Sequence, residues 1–309
     1  MHKQFDLIGI GECLIELFEE ATHSYKQSVA GDVFNTLFYA SRLGLKTGFI
    51  SNFGSDDLTK NILEVMDREG IDRSYTTESD KKTNGIYLIA TNESGDPHYS
   101  FWRSDSAARE TLQAIDVKKL EDFILSSKYF HFSAIALAIL HERKILISIL
   151  QKLRGKIKIS FDTNFRKGLW DEIDNLKIFI ESASSFVDVL FVSRSDDENI
   201  YGVRTAEAAM KYYQSLGYKL IIYKQGSDDV YCWNSNTLIQ VPTIKDVRVV
   251  DATAAGDAFN AGFIAAQIRG ENIENSIRNG NGCAAFVIGR RGGLAEDFRM
   301  HLSKTTTND

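Results

Sequence analysis

Short runs of apolar residues recur along the middle of the chain at nearly regular spacing. The four clearest runs are residues 129–135, 157–161, 187–192 and 220–223. Amphipathic segments, such as residues 141–153 and 205–216, lie between them. Strands and helices that alternate in this rhythm predict βαβ units and a parallel sheet covered by helices on both faces. Ligands of such sheets bind beyond the carboxyl ends of the strands, so we expect the chemistry just after each run.

Three segments in the first third of the chain break this rhythm. Residues 12–29 are strand-like, but they are too polar to be buried on both faces. Residues 85–91 and 98–103 flank a turn-rich stretch at 92–96, which predicts a β-hairpin. We expect these pieces to form a small sheet that projects from the main domain. Such a sheet beside an active site commonly serves as a lid that excludes water, and its outer face could carry a dimer interface.

Composition and charge narrow the class of protein. The chain has 309 residues, of which 43% are hydrophobic and 25% are charged, as in ordinary globular domains. A formal net charge of −6 argues against a general nucleic-acid binder. The three cysteines, Cys13, Cys232 and Cys283, are far apart and form no CxxC pair, so neither a zinc site nor a disulfide framework is expected. No apolar run approaches the roughly 20 residues that span a membrane, and no signal peptide is evident, so we expect a cytoplasmic protein.

The most informative stretch is residues 250–262, VDATAAGDAFNAG. Its small residues let backbone N–H groups approach an anion closely at the positive end of the helix that is predicted to follow. Asp257 at that position could take a proton while the N–H groups hold negative charge, which suits phosphoryl transfer from a nucleotide to an alcohol. For an isolated Asp, helix capping is the simpler interpretation. Asp251 and Thr253 just before it favour the catalytic one.

Other polar residues lie where predicted helices begin or strands end. Asp32 and Asn35 share one face of a helix that starts after Gly31, and their side chains could bind sugar hydroxyls. Helix capping by Asp32 explains the same pattern equally well. Arg103 and Arg166 fall at expected ligand-facing ends, and both could reach one anionic substrate because Arg binds carboxylates through paired hydrogen bonds. A single Arg is more commonly a solvated or ion-paired surface residue.

Two further segments follow predicted strands. The segment KQGSDD, which begins at Lys224 and contains Gly226, is either a turn that joins two strands or a nucleotide-binding turn, and both can hold at once. The segment SRSDDE at residues 193–198 contains Asp196, a candidate for arranging a metal ion. The alternative for this segment is an acidic cluster at the start of a helix, where negative charge is favoured.

Together these motifs resemble the two signatures of the pfkB (ribokinase-like) carbohydrate kinases. Residues 251–257, DATAAGD, resemble the second signature D-T-x-G-A-G-D, with Ala252 and Ala254 in place of Thr and Gly. Residues 30–35 resemble the first signature G-G-x-x-x-N, with Ala30 in place of the first Gly. Ala254 is the more consequential departure, since a side chain there could limit a conformation with positive φ.

The resemblance implies a fold and an activity. It implies an α/β fold, a single three-layer α/β/α domain over residues 1–309, with a mostly parallel central sheet and a small β-sheet lid from roughly 12–30 and 84–104. ATP would phosphorylate a sugar with the help of Mg²⁺, and a monovalent cation is left open. Residues 11–17 and 133–140 are closest to the family branch that acts on 2-keto-3-deoxygluconate, a sugar acid. The resemblance also implies a homodimer or higher homo-oligomer formed through the lid. It implies no binding to nucleic acid or to a membrane.

The resemblance also implies roles for individual residues. Asp257 would be the general base, and the N–H groups of Ala254, Ala255 and Gly256 would stabilise the transferring group. Substrate contacts are expected from Gly31, Asp32, Asn35, Tyr87, Arg103, Arg166 and Asp257. Nucleotide contacts are expected from Asn164, Arg166, Lys224, Gly226, Asp251, Gly256 and Asn281. Asp196 would arrange Mg²⁺ through water.

Three other functions are weighed against this one. A fructokinase or another sugar kinase would share the frame and most of the motifs. A nicotinamide-dependent oxidoreductase is disfavoured, because Leu14 stands where the G-x-G-x-x-G pattern needs its third Gly. A non-catalytic sensor of sugar or nucleotide is disfavoured by the presence of Gly256 and Asp257.

Overall fold

The predicted apolar runs form neighbouring strands of one large sheet. The computed structural model describes residues 3–21, 23–91 and 97–299, so the predicted turn at 92–96 lies outside the described residues. The strands are β1 (Phe5–Ile10), β2 (Leu14–Ala21), β3 (Ser24–Ala30), β4 (Thr47–Gly54), β5 (Asp72–Ser79), β6 (Ile86–Thr91), β7 (Pro97–Trp102), β8 (Ser127–Ser133), β9 (Lys158–Asp162), β10 (Val189–Ser193), β11 (Leu220–Lys224), β12 (Val230–Asn234) and β13 (Thr237–Val241). The α-helices are α1 (Asp32–Arg42), α2 (Asp57–Glu69), α3 (Val117–Leu125), α4 (Ala134–Ile139), α5 (Arg143–Leu153), α6 (Ile173–Ala183), α7 (Arg194–Tyr201), α8 (Ala206–Ser215), α9 (Ala255–Ile268) and α10 (Ile273–Val287).

The large sheet is mostly parallel. Its strand order over the described residues is β13-β12-β11-β10-β9-β8-β1-β4-β5. The strands from β11 to β5 in this order pair in parallel, whereas β12 and β13 add an antiparallel edge. Helices lie on both sides, which confirms the expected α/β fold. Among the described residues, no helix combines the length and the apolar character that crossing a bilayer requires.

The strands are apolar on both faces because each face packs against its own core. Successive residues of β1 show this: Leu7 belongs to one buried cluster and Ile8 to the other. Tyr129 and Phe130 of β8 divide in the same way. A strand covered on both sides reads as a continuous apolar run, which is why the middle of the chain revealed its strands so clearly.

One predicted strand boundary is wrong. The apolar run 129–135 suggested a strand that ends at residue 135, but β8 ends at Ser133 and Ala134 begins α4. The Ser133 hydroxyl accepts a hydrogen bond from the N–H of Ala136 at 3.2 Å and so caps the helix. Hydrophobicity alone cannot detect this change of backbone, because strand and helix are both buried here.

The small sheet has the order β3-β2-β6-β7. Strands β2 and β3 pair antiparallel and make up most of the strand-like segment 12–29. Strands β6 and β7 form the predicted antiparallel pair, and β6 runs parallel to β2. The role of this sheet as a lid, and its bounds at 12–30 and 84–104, stay predictions.

Helix α9 begins at a strained residue. Ala254 precedes its first turn with φ 60° and ψ 7°, a left-handed conformation that side chains other than glycine rarely adopt. A Cβ in this region costs roughly 1–2 kcal/mol. The resemblance to the kinase signature already marked Ala254 as the position where glycine is usual.

We expect Ala254→Gly to raise the free energy of unfolding by about 0.5–1 kcal/mol, because the strain relieved exceeds the chain entropy that glycine costs. Urea unfolding measures the change. The matched control is Ala208→Gly at an exposed position of α8, which has helical backbone and should lose about 0.5–1 kcal/mol instead. Equal losses of unfolding free energy in the two variants would contradict the claim that Ala254 is strained.

Candidate active site

The starts of two helices meet at the carboxyl ends of the parallel strands. Asp32 is the first residue of α1, and Asp257 lies in the first turn of α9. The Asn35 Nδ2 donates a hydrogen bond to Asp257 Oδ2 at 2.8 Å. The Thr36 hydroxyl donates to the carbonyl oxygen of Asp257 at 3.2 Å. The two signature stretches, distant in sequence, are therefore joined by direct contacts.

Gly31 makes this meeting possible. A Cβ at Gly31 would lie 2.0 Å from the Glu12 carbonyl oxygen, so no larger residue fits against that strand end. The N–H of Gly31 donates to Asn35 Oδ1 at 3.2 Å. Because Oδ1 accepts from Gly31 and Nδ2 donates to Asp257, both ends of the Asn35 amide are held. Gly31 and Asn35 together orient the Asp257 carboxylate.

The carboxyl groups at these helix starts resist ionisation. Burial raises the pKa of Asp257 to about 8, with a further rise from Asp32, while the hydrogen bond from Asn35 opposes both. Burial also raises the pKa of Asp32, while the nearby Ser133 side chain and Val33 backbone act to lower it. An Asp whose pKa lies near neutrality is suited to accept and return a proton.

A third carboxylate, Asp162, has a lowered pKa, in contrast to Asp32 and Asp257. Asp162 ends β9, and its Oδ2 accepts hydrogen bonds from Lys224 Nζ at 3.0 Å and from Asn260 Nδ2 at 2.5 Å. Burial would raise the pKa of Asp162, but Lys224 and Asn260 outweigh it and hold the pKa below its usual value. The sequence assigned no role to Asp162 or Asn260. A polar residue three positions after Asp257 in an otherwise apolar helix was the available signal.

Lys224 also borders the start of α9. A Cβ built on Gly256 would lie 3.4 Å from Lys224 Nζ, so the ammonium group stands beside the first turn. At a helix start the first N–H groups lack a carbonyl partner one turn earlier in the helix. Here the N–H of Ala255 donates instead to the Ala252 carbonyl oxygen of the preceding loop at 3.3 Å. Asp251 shapes the preceding loop, since Oδ1 accepts from the Thr253 N–H at 2.8 Å and Oδ2 from the Gly292 N–H at 2.9 Å. The loop, the helix start and Lys224 form a cradle for an anion.

The two candidate arginines differ in their freedom. Arg103 pairs through Nη1 with the buried Glu12 carboxylate, and its guanidinium lies 4.5 Å from the Phe101 ring centre. Arg166 is exposed, and within the described part of the chain its guanidinium donates one hydrogen bond, to the Phe165 carbonyl oxygen at 2.9 Å. Arg166 is near enough to Asp32 to lower its pKa electrostatically. Arg166 is therefore the arginine that can receive a ligand without breaking a buried ion pair.

Tyr87 lies on β6 of the small sheet and is buried. Its hydroxyl donates a hydrogen bond to Glu16 Oε1. Burial, together with the Glu16 charge, raises the pKa of Tyr87 far above its usual value, so the phenol stays protonated. Glu16 did not emerge from the sequence as a site residue, because a single acid on an amphipathic strand reads as solvent-facing.

The remaining candidates are spread more widely. The Asn164 Nδ2 donates to Asp32 Oδ2 at 3.1 Å, which puts it beside the sugar candidates. Gly226 lies in the exposed turn between β11 and β12 with φ 66°. The Asn281 Nδ2 on α10 donates to the Pro242 carbonyl oxygen at 3.0 Å. These three residues do not form a single cluster of contacts with Asp257.

Asp196 is the candidate metal residue. Its Oδ2 accepts from the Thr163 hydroxyl and its Oδ1 from the Phe165 N–H, each at 3.1 Å. Over the residues that the structure describes, no group of three or more His, Cys, Asp and Glu side chains could hold a metal ion. Because both of its oxygens are engaged, Asp196 would reach a bound Mg²⁺ through water rather than directly.

The chain is similar to known proteins over nearly its whole length. The family described as pfkB family carbohydrate kinase matches residues 5–297. A 2-dehydro-3-deoxygluconokinase of Haemophilus influenzae is 30% identical over 306 residues, which cover 95% of this chain and 96% of that protein. One of Escherichia coli K12 is 29% identical over 295 residues, covering 92% and 95%.

Solved structures share the fold at lower identity. Aminoimidazole riboside kinase from Salmonella enterica, complexed with aminoimidazole riboside and an ATP analog, superposes with a TM-score of 0.80 at 22% identity, covering 93% of this chain and 95% of that one. Fructokinase from Xylella fastidiosa with bound ATP gives 0.81 at 20% identity, covering 93% of each chain.

The raised pKa of Asp257 predicts a pH-dependent cost to stability. An unfolded Asp ionises near a pKa of about 3.9, whereas the folded Asp257 ionises at about 8. Stability from the protonated native form is therefore present at low pH and lost as pH rises through the folded value. In the ligand-free protein, Asp257→Asn should raise the free energy of unfolding by about 1–3 kcal/mol near pH 8.5 and by little near pH 5.

Urea unfolding at both pH values measures this difference. Asp80→Asn, at an exposed position, is the matched control and should change stability little at either pH. A gain in Asp257→Asn that is equal at the two pH values would contradict the buried ionisation.

Proposed function

The chain belongs to the pfkB family of carbohydrate kinases, and we propose that it transfers the γ-phosphoryl group of ATP to the terminal hydroxyl of 2-keto-3-deoxygluconate. The products would be 2-keto-3-deoxy-6-phosphogluconate and ADP. The family makes the chain an ATP-dependent sugar kinase. The identity of the sugar is the part that we propose.

The observation that carries the choice of sugar is the exposed guanidinium of Arg166 near Asp32. A keto-deoxy sugar acid has a carboxylate, whereas fructose and ribose have none. Arg binds a carboxylate through two charge-assisted hydrogen bonds, which are about twice as strong as neutral ones. The two relatives compared above are both named for 2-dehydro-3-deoxygluconate, the same compound, and cover nearly the whole chain. Tyr87 and Arg103 would also contact the sugar acid.

Asp257 is proposed as the general base. Its carboxylate would accept the proton of the terminal hydroxyl as that oxygen attacks the γ-phosphorus in line. Asn35 would keep the carboxylate oriented, since it already donates to Oδ2 at 2.8 Å. The buried Asp32 Oδ1, which accepts no hydrogen bond from the described residues, would accept one from a sugar hydroxyl. Gly31 would line the same side, and Asn164, whose Nδ2 donates to Asp32 Oδ2 at 3.1 Å, would contact the nucleotide from beside it.

The N–H groups of Ala254, Ala255 and Gly256 would stabilise charge on the transferring group. Lys224 would add a positive charge beside Gly256, held there by Asp162 and Asn260. When bound with ATP, Mg²⁺ supplies neutralisation of phosphate charge, and Asp196 would contact it through water. Gly226, Asp251 and Asn281 would lie along the nucleotide. A monovalent cation and a homo-oligomer formed through the lid belong to the same proposal.

A coupled assay of ADP release tests the substrate. With Mg-ATP, we expect 2-keto-3-deoxygluconate to be turned over far more efficiently than fructose, ribose or 2-keto-gluconate. Arg166→Ala should raise the KM for the acid by about 10- to 100-fold, the worth of one charge-assisted pair, while the KM for a neutral sugar changes much less. The matched control is Lys167→Ala, which removes an exposed positive charge one residue away.

Two results would count against the proposed sugar. A preference for fructose would leave the kinase activity established but show that the proposed substrate is wrong. Equal losses on acid and neutral sugars in Arg166→Ala would remove the carboxylate contact. Binding of sugar and nucleotide without any ADP release would instead favour a sensor.

A further inference from the structure

Glu16 is a fully buried acid in the small sheet, and it faces the main domain. Its Oε1 accepts the hydroxyl of Tyr87 and, at 3.1 Å, the N–H of Gly293. One oxygen therefore joins a residue of the small sheet to a loop that follows α10. Burying a carboxylate is costly unless its hydrogen bonds are satisfied, so this contact holds the two parts in a defined relation.

The Gly292–Gly293 turn is shaped to receive this carboxylate. Gly292 has φ 81°, and a Cβ there would lie 2.8 Å from Glu16 Oε2. The other groups that hold the turn come from the main domain: Asp251 accepts from the Gly292 N–H at 2.9 Å, and the Tyr39 hydroxyl donates to the Gly293 carbonyl oxygen at 2.7 Å. A side chain at residue 292 would displace Glu16.

Gly293 in turn abuts the residue that orients the general base. A Cβ at Gly293 would lie 3.3 Å from Asn35 Oδ1 and 3.4 Å from its Nδ2. Asn35 donates to Asp257 at 2.8 Å. Hydrogen bonds thus join Tyr87 to Glu16 and Glu16 to Gly293, Gly293 lies beside the Asn35 side chain, and Asn35 donates to Asp257.

We propose that Glu16 is a positioning residue, whose Oε1 fixes the substrate-facing Tyr87 of the small sheet relative to the Asn35–Asp257 pair. The inference rests on the proposed function in that Tyr87 and Asp257 must face the same sugar. Glu16 itself touches neither sugar nor nucleotide. Its loss would loosen the grip on the sugar and leave the nucleotide cradle at Gly256 and Lys224 in place.

Two substitutions of Glu16 test this role on whichever sugar the wild-type enzyme turns over best. Glu16→Leu keeps the volume and removes the acceptor. We expect the KM for the sugar to rise at least about tenfold, the worth of one or two lost hydrogen bonds, while the KM for ATP changes less than about twofold. Glu16→Gln should recover most of the loss, because one amide oxygen can accept both hydrogen bonds.

A double-mutant cycle with Tyr87→Phe separates positioning from a purely structural effect. If Glu16 acts through Tyr87, the double variant Glu16→Leu/Tyr87→Phe should raise the KM for the sugar no more than Glu16→Leu alone. Glu19→Ala, on the same strand, is the matched control and should resemble wild type.

The proposal is overturned if Glu16→Gln is as impaired as Glu16→Leu, if the KM values for sugar and ATP rise together, or if the cycle is additive. If Glu16→Leu does not fold, Glu16→Gln and Tyr87→Phe still decide. Wild-type sugar KM in Tyr87→Phe, or a severe loss in Glu16→Gln, would then refute it. If the wild-type enzyme prefers fructose, the proposed substrate is wrong. The same variants can then be compared on fructose, so the role of Glu16 is still tested.

Discussion

The hydrogen bond from Asn35 to Asp257 ties the start of α1 to the start of α9, and the candidate site is arranged around it. It requires Gly31, since any Cβ there would collide with the Glu12 carbonyl. It also requires that the Asp257 carboxylate be buried. Burial, together with the nearby Asp32, raises the pKa of Asp257 to about 8. Two helix starts, the positive ends of their dipoles, then face one space at the ends of the parallel strands.

Charge compensation divides this space into two sides. Asp162 and Lys224 form an ion pair beside Gly256, where an anionic phosphate would lie. Asp32 and Asp257 lack a cation in direct contact within the described structure and remain hard to ionise. The basic side suits a nucleotide, and the proton-accepting side suits a hydroxyl. The strained Ala254 and the buried acids fit a site that gives up stability for reactivity.

Much of the fold was predictable from periodicity, because strands buried on both faces read as apolar runs. The boundary at Ser133 was not, since a hydroxyl cap rather than hydrophobicity ends that strand. The helix-start residues Asp32, Asn35 and Asp257 could be found from local sequence and resemblance. Glu16 and Asn260 could not, because their roles depend on partners that only the folded chain brings near: Gly293 for Glu16 and Asp162 for Asn260.

Turnover in Asp257→Asn, measured beside ATP binding in the same preparation, tests the role of Asp257 most directly. The substitution preserves size and the contact with Asn35 but removes the proton acceptor. ADP release should fall by about 10²–10⁴-fold, the usual worth of general-base catalysis, while calorimetric affinity for ATP stays within a few-fold of wild type. Turnover close to that of the wild type would contradict a general base at Asp257 and the site built around it.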